Sequence, residues 1–206
     1  MFHVKHRWIT DRGLWLDSGP ATLELMQLLD QAGLPELDAL VPGDGSLLVV
    51  LKPGVEPGQA LFDLVDMPRS GVRPAGHGRH HDVPVQYGGE AGPDLERVAE
   101  AAGLTVSQAI ELHAGAMYQV AFLGFQPGFA YLAGTPTQLQ IARHTTPRPR
   151  VPAGSVALGG GYTGIYPGNG AGGWQLIGRT REWLFDPRRQ PPARFAPGDQ
   201  VRFVPR

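Results

Sequence analysis

Three short segments in the C-terminal half concentrate residues that could do chemistry. They are Leu123 to Leu132 (LGFQPGFAYL), Thr146 to Val156 (TPRPRVPAGSV), and Thr163 to Pro167 (TGIYP) continuing through Gly172-Gly173-Trp174 to Thr180. Arg148, Arg150 and Arg179 offer planar guanidinium forks that fit a carboxylate or a phosphate. Tyr131, Tyr166 and Trp174 offer flat apolar walls with a polar tip. Ser155 and Thr163 add hydroxyls within the same segments. Glycine lets backbone amides approach a ligand closely, and proline holds a loop in shape before binding. Together these residue types predict a pocket for a small anion or an amide.

Other chemistries fail on their own requirements. Gly159-Gly160-Gly161-Tyr162-Thr163-Gly164 satisfies the G-x-G-x-x-G string, but Ile165-Tyr166-Pro167-Gly168 continues it with helix breakers. Without a helix N-terminus a pyrophosphate has no dipole to sit on, so the string reads as a tight turn. No Gly-Lys dipeptide exists, so no Walker A loop forms. Ser155 sits in PAGSV rather than in a nucleophile elbow. No H-E-x-x-H occurs, and His77, His80 and His81 fall in a stretch read as a solvated loop, so no metal site is assigned. Neither Lys5 nor Lys52 lies in a Met-Lys-Met sequence, which leaves no attachment site for biotin.

The elements that must position these segments divide the chain in two. In the first part Trp8 to Leu16 reads as a strand and Ser18-Gly19-Pro20 as a helix start. Ala21, Leu25, Leu28, Leu29 and Ala32 then follow on one helical face, and Gly33 stops the helix. Leu37 to Val41 and Ser46 to Leu51 are apolar stretches of strand length, and Gln59 to Val65 reads as a second helix. The order predicts a small α+β domain over residues 1–70. Pro68 to His81 is polar and without periodicity, so residues 71–81 are assigned as the linker. The second domain, 82–206, opens with a strand from Asp82 to Tyr87. A helix follows from Gly92-Pro93-Asp94 to Ala102, and another begins at the capping box Thr105-Val106-Ser107-Gln108 and runs to about His113. After it come short strands: Tyr118 to Phe125, Ser155 to Leu158, Trp174 to Gly178, Trp183 to Phe185 and Val201 to Val204. Many short strands between turn residues predict a closed β-barrel.

Composition excludes whole classes. The 206 residues carry 18 Lys and Arg against 19 Asp and Glu, a formal net charge of -1, which is not the balance of a nucleic-acid binder. No apolar run is long enough to span a membrane, and MFHVKHR leads into no signal-peptide core. Cysteine is absent. Disulfides, thiolate nucleophiles and cysteine-ligated metals are thereby excluded, and a cytoplasmic location is expected.

The residues from Asp82 to Val204 resemble a known family through VPVQYGGEAGPDLERVA, LGFQPGFAYLAG, TPRPRVPAGSVALGGGYTGIYP, GGWQLIGRT, LFDP and PGDQVRFVP. ITDRGLWL and DGSLLVV extend the likeness to the first third. The family is that of the B subunits of prokaryotic 5-oxoprolinase, also called allophanate hydrolase subunit 1 or KipI. The resemblance implies an α+β N-terminal domain followed by a cyclophilin-like β-barrel. It implies membership of an ATP-dependent complex that opens 5-oxo-L-proline to L-glutamate, with the 5-oxoprolinase C subunit in direct contact and the A subunit completing the activity. ATP would be the co-substrate, with Mg²⁺ accompanying it. Two positions depart from the family's usual pattern: Tyr162 stands where Gln is common, and Ala171 where Pro is common.

On that reading Arg148 and Arg150 hold phosphate or the substrate carboxylate, and Tyr131, Tyr166 and Trp174 wall the ring. Ser155 and Thr163 are further substrate-binding candidates. His113 is a candidate proton carrier, since histidine titrates near neutral pH, although a histidine in the last turn of a helix also suits the helix dipole. The family resemblance also leaves open a protein that inhibits a sensor histidine kinase, or a carboxyltransferase-type component of urea or allophanate metabolism.

Overall fold

Leu14 and Leu16 alternate along residues 13–17, and in the apolar run 46–51 every second residue is buried, so each strand buries one face. The computed structural model describes residues 4–68 and 78–206 and divides into two units, Met1–His77 and Gly78–Arg206. In the first unit, β1 (Lys5–Trp8), β2 (Gly13–Asp17), β3 (Leu37–Gly43) and β4 (Ser46–Leu51) form an antiparallel sheet in the order β1-β2-β4-β3. Leu14, Leu16, Leu47, Val49 and Leu51 are buried with Leu25 and Leu29 of α1 (Thr22–Ala32) and Leu61 and Val65 of α2 (Gln59–Asp66). Gly33 ends α1 in the left-handed conformation, as its position predicted. The single strand expected from Trp8 to Leu16 is instead a hairpin. The Ile9 amide bonds the Gly13 carbonyl at 2.9 Å, closing a turn through Thr10-Asp11-Arg12.

The second unit begins earlier than the sequence suggested. His77 and the rest of residues 71–77 lie outside the described residues. His80 and His81, however, are not in a loop: they open β5 (His80–Tyr87). The sequence places no apolar residue before Val83, so its pattern gave no sign of a strand there. Pairing fixes these residues instead, because β5 runs parallel to the last strand, β13 (Gln200–Pro205), in register from His80↔Gln200 to Val85↔Pro205.

That pairing closes a barrel. β6 (Tyr118–Leu123), β7 (Ala130–Ala133), β9 (Ser155–Gly159), β10 (Tyr162–Ile165) and β12 (Gln175–Arg179) join β5 and β13 in the cyclic order β10-β7-β6-β13-β5-β12-β9. One apolar cluster takes residues from every one of these strands, among them Val83, Val120, Leu132, Leu158, Ile165, Ile177 and Phe203, so that cluster is the barrel interior. α3 (Leu95–Ala101) and α4 (Val106–Gly115) add Leu95, Val98 and Ala109 to it. The predicted capping box is present, with Thr105 accepting from the Gln108 amide and Gln108 accepting from the Thr105 amide. Trp183 to Phe185 is not a strand; Phe185 makes one isolated bridge to Ala193. Among the described residues no helix is long and apolar enough to cross a membrane.

A second cluster lies on the opposite face of the same strands. Residues 156, 158 and 165 point inward, whereas Ala157 and Leu176 pack outward with Phe129, Val151, Tyr166 and Trp174. A small two-stranded sheet contributes to this outer layer, β8 (Arg148–Val151) paired with β11 (Gly170–Gly172). The glycine-rich run now has a physical reason. Gly160, with φ +63°, starts the two-residue turn between β9 and β10, a conformation that favours glycine. Gly159 and Gly164 face outward, where a Cβ would strike the Trp174 indole from Gly159 or sit 3.0 Å from Phe129 and from the Ala130 carbonyl from Gly164.

His113 is sealed in the barrel interior. Its ring stacks on Phe203 at 4.6 Å, with 1% of the residue exposed. Thr163 Oγ1 donates to the Ala157 carbonyl at 3.0 Å, so it accepts from His113 Nε2, also at 3.0 Å. Nδ1 therefore accepts from the Tyr87 hydroxyl at 2.7 Å. Both ring nitrogens are used, the tautomer is fixed, and loss of hydration holds the pKa down to about 3. This is a neutral, structural histidine, not the proton carrier expected from its sequence position. Thr163, fully buried beside it, likewise serves the core rather than a ligand.

This core can be tested in two ways. The folded His113 titrates well below its usual value of 6.5, so the unfolded chain takes up the proton first as pH falls through 6.5. Stability should then drop by about 1.4 kcal/mol per pH unit from this group alone. Between pH 7.5 and 5.0, urea unfolding should show wild type losing about 2 kcal/mol more than His113→Gln. Equal losses would mean that the ring is hydrated or charged in the fold. Separately, Gly159→Ala should destabilise by about 1–3 kcal/mol through overpacking against Trp174, with a reduced near-UV tryptophan signal. An unchanged unfolding midpoint would show that the indole does not lie flat on that glycine.

Candidate functional site

Outward-facing aromatics continue past the buried cluster to the surface. Tyr131 stacks on Phe122 at 4.3 Å and meets Phe129, Tyr162 and Trp174 edge to face at 5.1, 5.7 and 5.6 Å. Phe129 and Trp174 meet at 5.4 Å. Tyr166 is buried among them, its hydroxyl taking the Trp174 backbone amide; burial raises its pKa more than that bond and nearby Arg143 and Arg148 lower it. Tyr162, one of the two departures from the family pattern, thus adds a wall of the aromatic surface.

Phe125 stands at the rim. It has φ +68°, a left-handed backbone rare for a residue with a side chain, and it is 60% exposed. Its ring touches Phe129 and Tyr166 edge to face at 5.4 and 6.1 Å. The next residue, Gln126, lies against Gly170 of β11, where a Cβ would strike its side-chain nitrogen. Its other amide atom, Oε1, is buried without a hydrogen-bond partner. A buried acceptor left unpaired costs about 1–3 kcal/mol, so it marks a place where a donor from outside the chain would be welcome.

Charge enters from residues 143–148 and from Asp94. The Arg143 guanidinium lies over the Trp174 ring at 5.3 Å and makes no ion pair among the described residues. Arg148 is committed elsewhere: Nη2 donates to Asp94 Oδ1 at 2.6 Å, and Nη1 lies 2.7 Å from His144 Nε2. Asp94 is 5% exposed and accepts the Leu176 amide at 2.7 Å, with His144 at 3.3 Å. Burial pushes Asp94 up, but the bonds from Arg148, Leu176 and His144 outweigh it and hold its carboxyl below the usual range. Arg97 completes the network through Gln175 and His144.

The sequence-derived candidates therefore separate. Tyr131, Tyr166 and Trp174 come together on one surface. Arg148 borders it but spends its fork on Asp94 and His144. Arg150 is exposed and unpartnered among the described residues, and its neighbour Val151 faces the aromatic cluster, so strand alternation turns Arg150 away. Ser155 Oγ donates to the Pro152 carbonyl at 2.8 Å and closes a buried turn. Arg179 Nε bonds the Ala153 carbonyl at 3.1 Å. Sequence reasoning missed Phe125, Gln126, Arg143, His144 and Asp94. Gln126 lay in a quoted segment, but no spacing rule marks an amide that folding leaves without a partner. Arg143 and His144 precede the segment that drew attention.

Comparison with known proteins agrees with this architecture. Residues 12–195 match the family model for the carboxyltransferase domain, subdomain C and D. The chain is 44% identical over 178 residues to the 5-oxoprolinase B subunit of Escherichia coli O157:H7, covering 84% of this chain and 79% of that one. It is 49% identical over 127 residues to the 5-oxoprolinase B subunit of Haemophilus influenzae, covering 62% of this chain and 60% of that one. Among solved structures, TTHA0988 superposes with a TM-score of 0.77 at 37% identity, over 95% of this chain and 40% of that chain. The chain belongs to the carboxyltransferase subdomain C and D family, alongside the 5-oxoprolinase B subunits.

Proposed function

We propose that this chain is the B subunit of a complex that opens 5-oxo-L-proline to L-glutamate with hydrolysis of ATP, and that the outer aromatic surface receives the lactam. One observation carries the reading: an unpaired buried acceptor, Gln126 Oε1, and an unpaired cation, Arg143, border the same aromatic cluster. 5-Oxoproline presents the complementary groups, a lactam N–H, a carboxylate and a flat ring. Gln126 would accept from the N–H, Arg143 would take the carboxylate, and Phe125, Tyr131 and Tyr162 would wall the ring.

A lactam carbonyl is a poor electrophile because the nitrogen lone pair delocalises into it. Transfer of the γ-phosphoryl group of ATP to the lactam oxygen gives a phosphorylated imidate. Water then adds to that carbon, and the ring C–N bond breaks as its nitrogen gains a proton, leaving an open-chain acyl phosphate. A second water displaces phosphate from that acyl phosphate, so that two waters are consumed and glutamate, ADP and phosphate are left. This sequence needs charge stabilisation and positioning rather than a protein nucleophile, which suits a surface built of rings, an amide and a guanidinium. Mg²⁺ would arrive on the nucleotide's phosphates. The C subunit of 5-oxoprolinase is the direct partner, the A subunit is required for turnover, and the complex resides in the cytoplasm.

The test is a coupled ADP-release assay with the purified A and C subunits. All three proteins together should release ADP and glutamate in response to 5-oxoproline, and omission of this chain should abolish it. Arg143→Gln and Gln126→Leu should each raise KM for 5-oxoproline about tenfold or more, as expected for a lost charged or buried hydrogen bond, with kcat changing less. Arg150→Ala should stay within about twofold. If the complete mixture shows no 5-oxoproline-dependent ADP release, the assignment fails. If both site variants keep KM within about twofold, the aromatic surface is not the lactam site.

A further inference from the structure

A concavity in the barrel unit shares no residue with the aromatic surface. It is a groove of about 570 Å³ lined by Arg79, His81, Trp183, Arg189 and Arg194, with Pro191 among its remaining walls. Arg79 immediately precedes β5, His81 lies in it, and the other residues come from the long segment between β12 and β13. That segment is folded back on itself: Asp186 N bonds the Pro192 carbonyl and Arg194 N the Leu184 carbonyl, each at 2.9 Å. The groove is thus built on backbone pairing, not on side chains alone.

Its charges are unevenly spent. Asp199, which bonds two of the lining residues, is 3% exposed and saturated. It accepts the Arg79 amide at 2.8 Å, the Ala196 amide at 3.0 Å and His81 Nε2 at 2.9 Å, with Arg79 Nη2 at 3.5 Å. Asp186 bonds Arg188 at 2.9 Å and reaches Arg189 only at 3.6 Å. Glu182 pairs with Nη1 of Arg194, whose Nε is buried with no acceptor. Arg79 Nη2 also donates to the Arg194 carbonyl at 3.2 Å, yet the Arg79 and Arg189 side chains remain 57% and 54% exposed. Arg189 also lies 4.1 Å over the Trp183 ring, which orients its fork along the groove wall. Three guanidiniums therefore line one hollow beside an indole, and those of Arg79 and Arg189 keep exposed donors.

We infer that this groove binds a small molecule through an oxyanion group, carboxylate or phosphate, held by Arg79, Arg189 and Arg194 with the rest of the molecule against Trp183. Planar guanidiniums in a recess are the side chains that recognise such groups bidentately, and partial desolvation strengthens the contact. The inference does not depend on the lactam reading, because it rests on other residues and is tested by binding rather than turnover.

The test uses the full chain at constant ionic strength, titrated separately with inorganic pyrophosphate and with citrate while tryptophan fluorescence and heat are followed. Saturable binding of either probe below about 10 mM is expected. Pyrophosphate alone would indicate a phosphate ligand, citrate alone a polycarboxylate, and both a general oxyanion site. The double variant Arg79→Gln/Arg189→Gln, altering two exposed side chains, should weaken binding at least about tenfold with an unchanged Tm, and Trp183→Phe should remove the fluorescence response. Arg206→Gln serves as a charge control and should leave binding unchanged. Absence of saturation with both probes, or equal affinity in the double variant, would overturn the assignment.

Discussion

Closing a sheet into a barrel gives each strand one face for the interior and one for everything else, and that division governs the second unit. Seven strands supply Val83, Val120, Leu132, Leu158, Ile165, Ile177 and Phe203 to a single core. Side chains alternate, so every residue that could meet a ligand must come from the other parity or from a connection. Thr163 shows the force of the rule. It follows Tyr162, which faces the outer aromatics, and therefore turns inward to His113, where its hydroxyl completes a polar chain in an apolar space. The chain is tolerable because each donor has one acceptor, from Tyr87 through His113 and Thr163 to the Ala157 carbonyl.

Two buried carboxylates fasten irregular backbone to this barrel. Asp94 gathers Leu176 of β12, Arg148 of β8 and His144 of the preceding loop. Asp199 gathers the Arg79 amide ahead of β5, the Ala196 amide ahead of β13, and His81. Each carboxylate takes at least one backbone amide, and such bonds to charge are stronger than neutral ones. Removing one partner of a buried charged pair strands the other, at a cost of about 3–5 kcal/mol. These acids are therefore better understood as clamps than as acid–base catalysts. Asp94 holds Arg148 at the border of the aromatic surface, and Asp199 holds Arg79 and His81 in the wall of the arginine groove.

The sequence made the barrel, both helices of its cap, the capping box and the first unit's α1 and α2 legible, because each has a periodic or local chemical signature. It hid elements whose signature is not local. β7, β8, β10 and β11 are three or four residues long, too short for alternation to register. His80 and His81 read as loop because what fixes them is pairing with Gln200 and Val201, 120 residues away. For the candidate site, composition identified the rings that assemble, Tyr131, Tyr166 and Trp174. It could not tell which arginines remain free, because that depends on where Asp94 lies. The segment TPRPRV proved to hold one arginine tied to Asp94 and one turned away from the aromatic cluster, while the cation over Trp174 comes from Arg143 upstream.

Phe125 bears on how the outer surface is used. A non-glycine residue in the left-handed region carries strain of about 1–3 kcal/mol and persists only where its surroundings over-determine it. Usually burial of the side chain offsets such strain, yet this ring is 60% exposed and touches Phe129 and Tyr166 only by its edge. The local backbone holds it there: Gln126 N bonds the Gly124 carbonyl at 2.8 Å and Phe129 N bonds the Gln126 carbonyl at 2.9 Å. The same tight turn that lifts Phe125 outward also tucks Gln126 against β11 with its acceptor unpaired. One backbone feature thus sets an exposed apolar ring beside a buried, unpaired amide acceptor at the edge of an aromatic surface. Neither gains its full stabilisation within the chain, and both would gain it from a bound ligand.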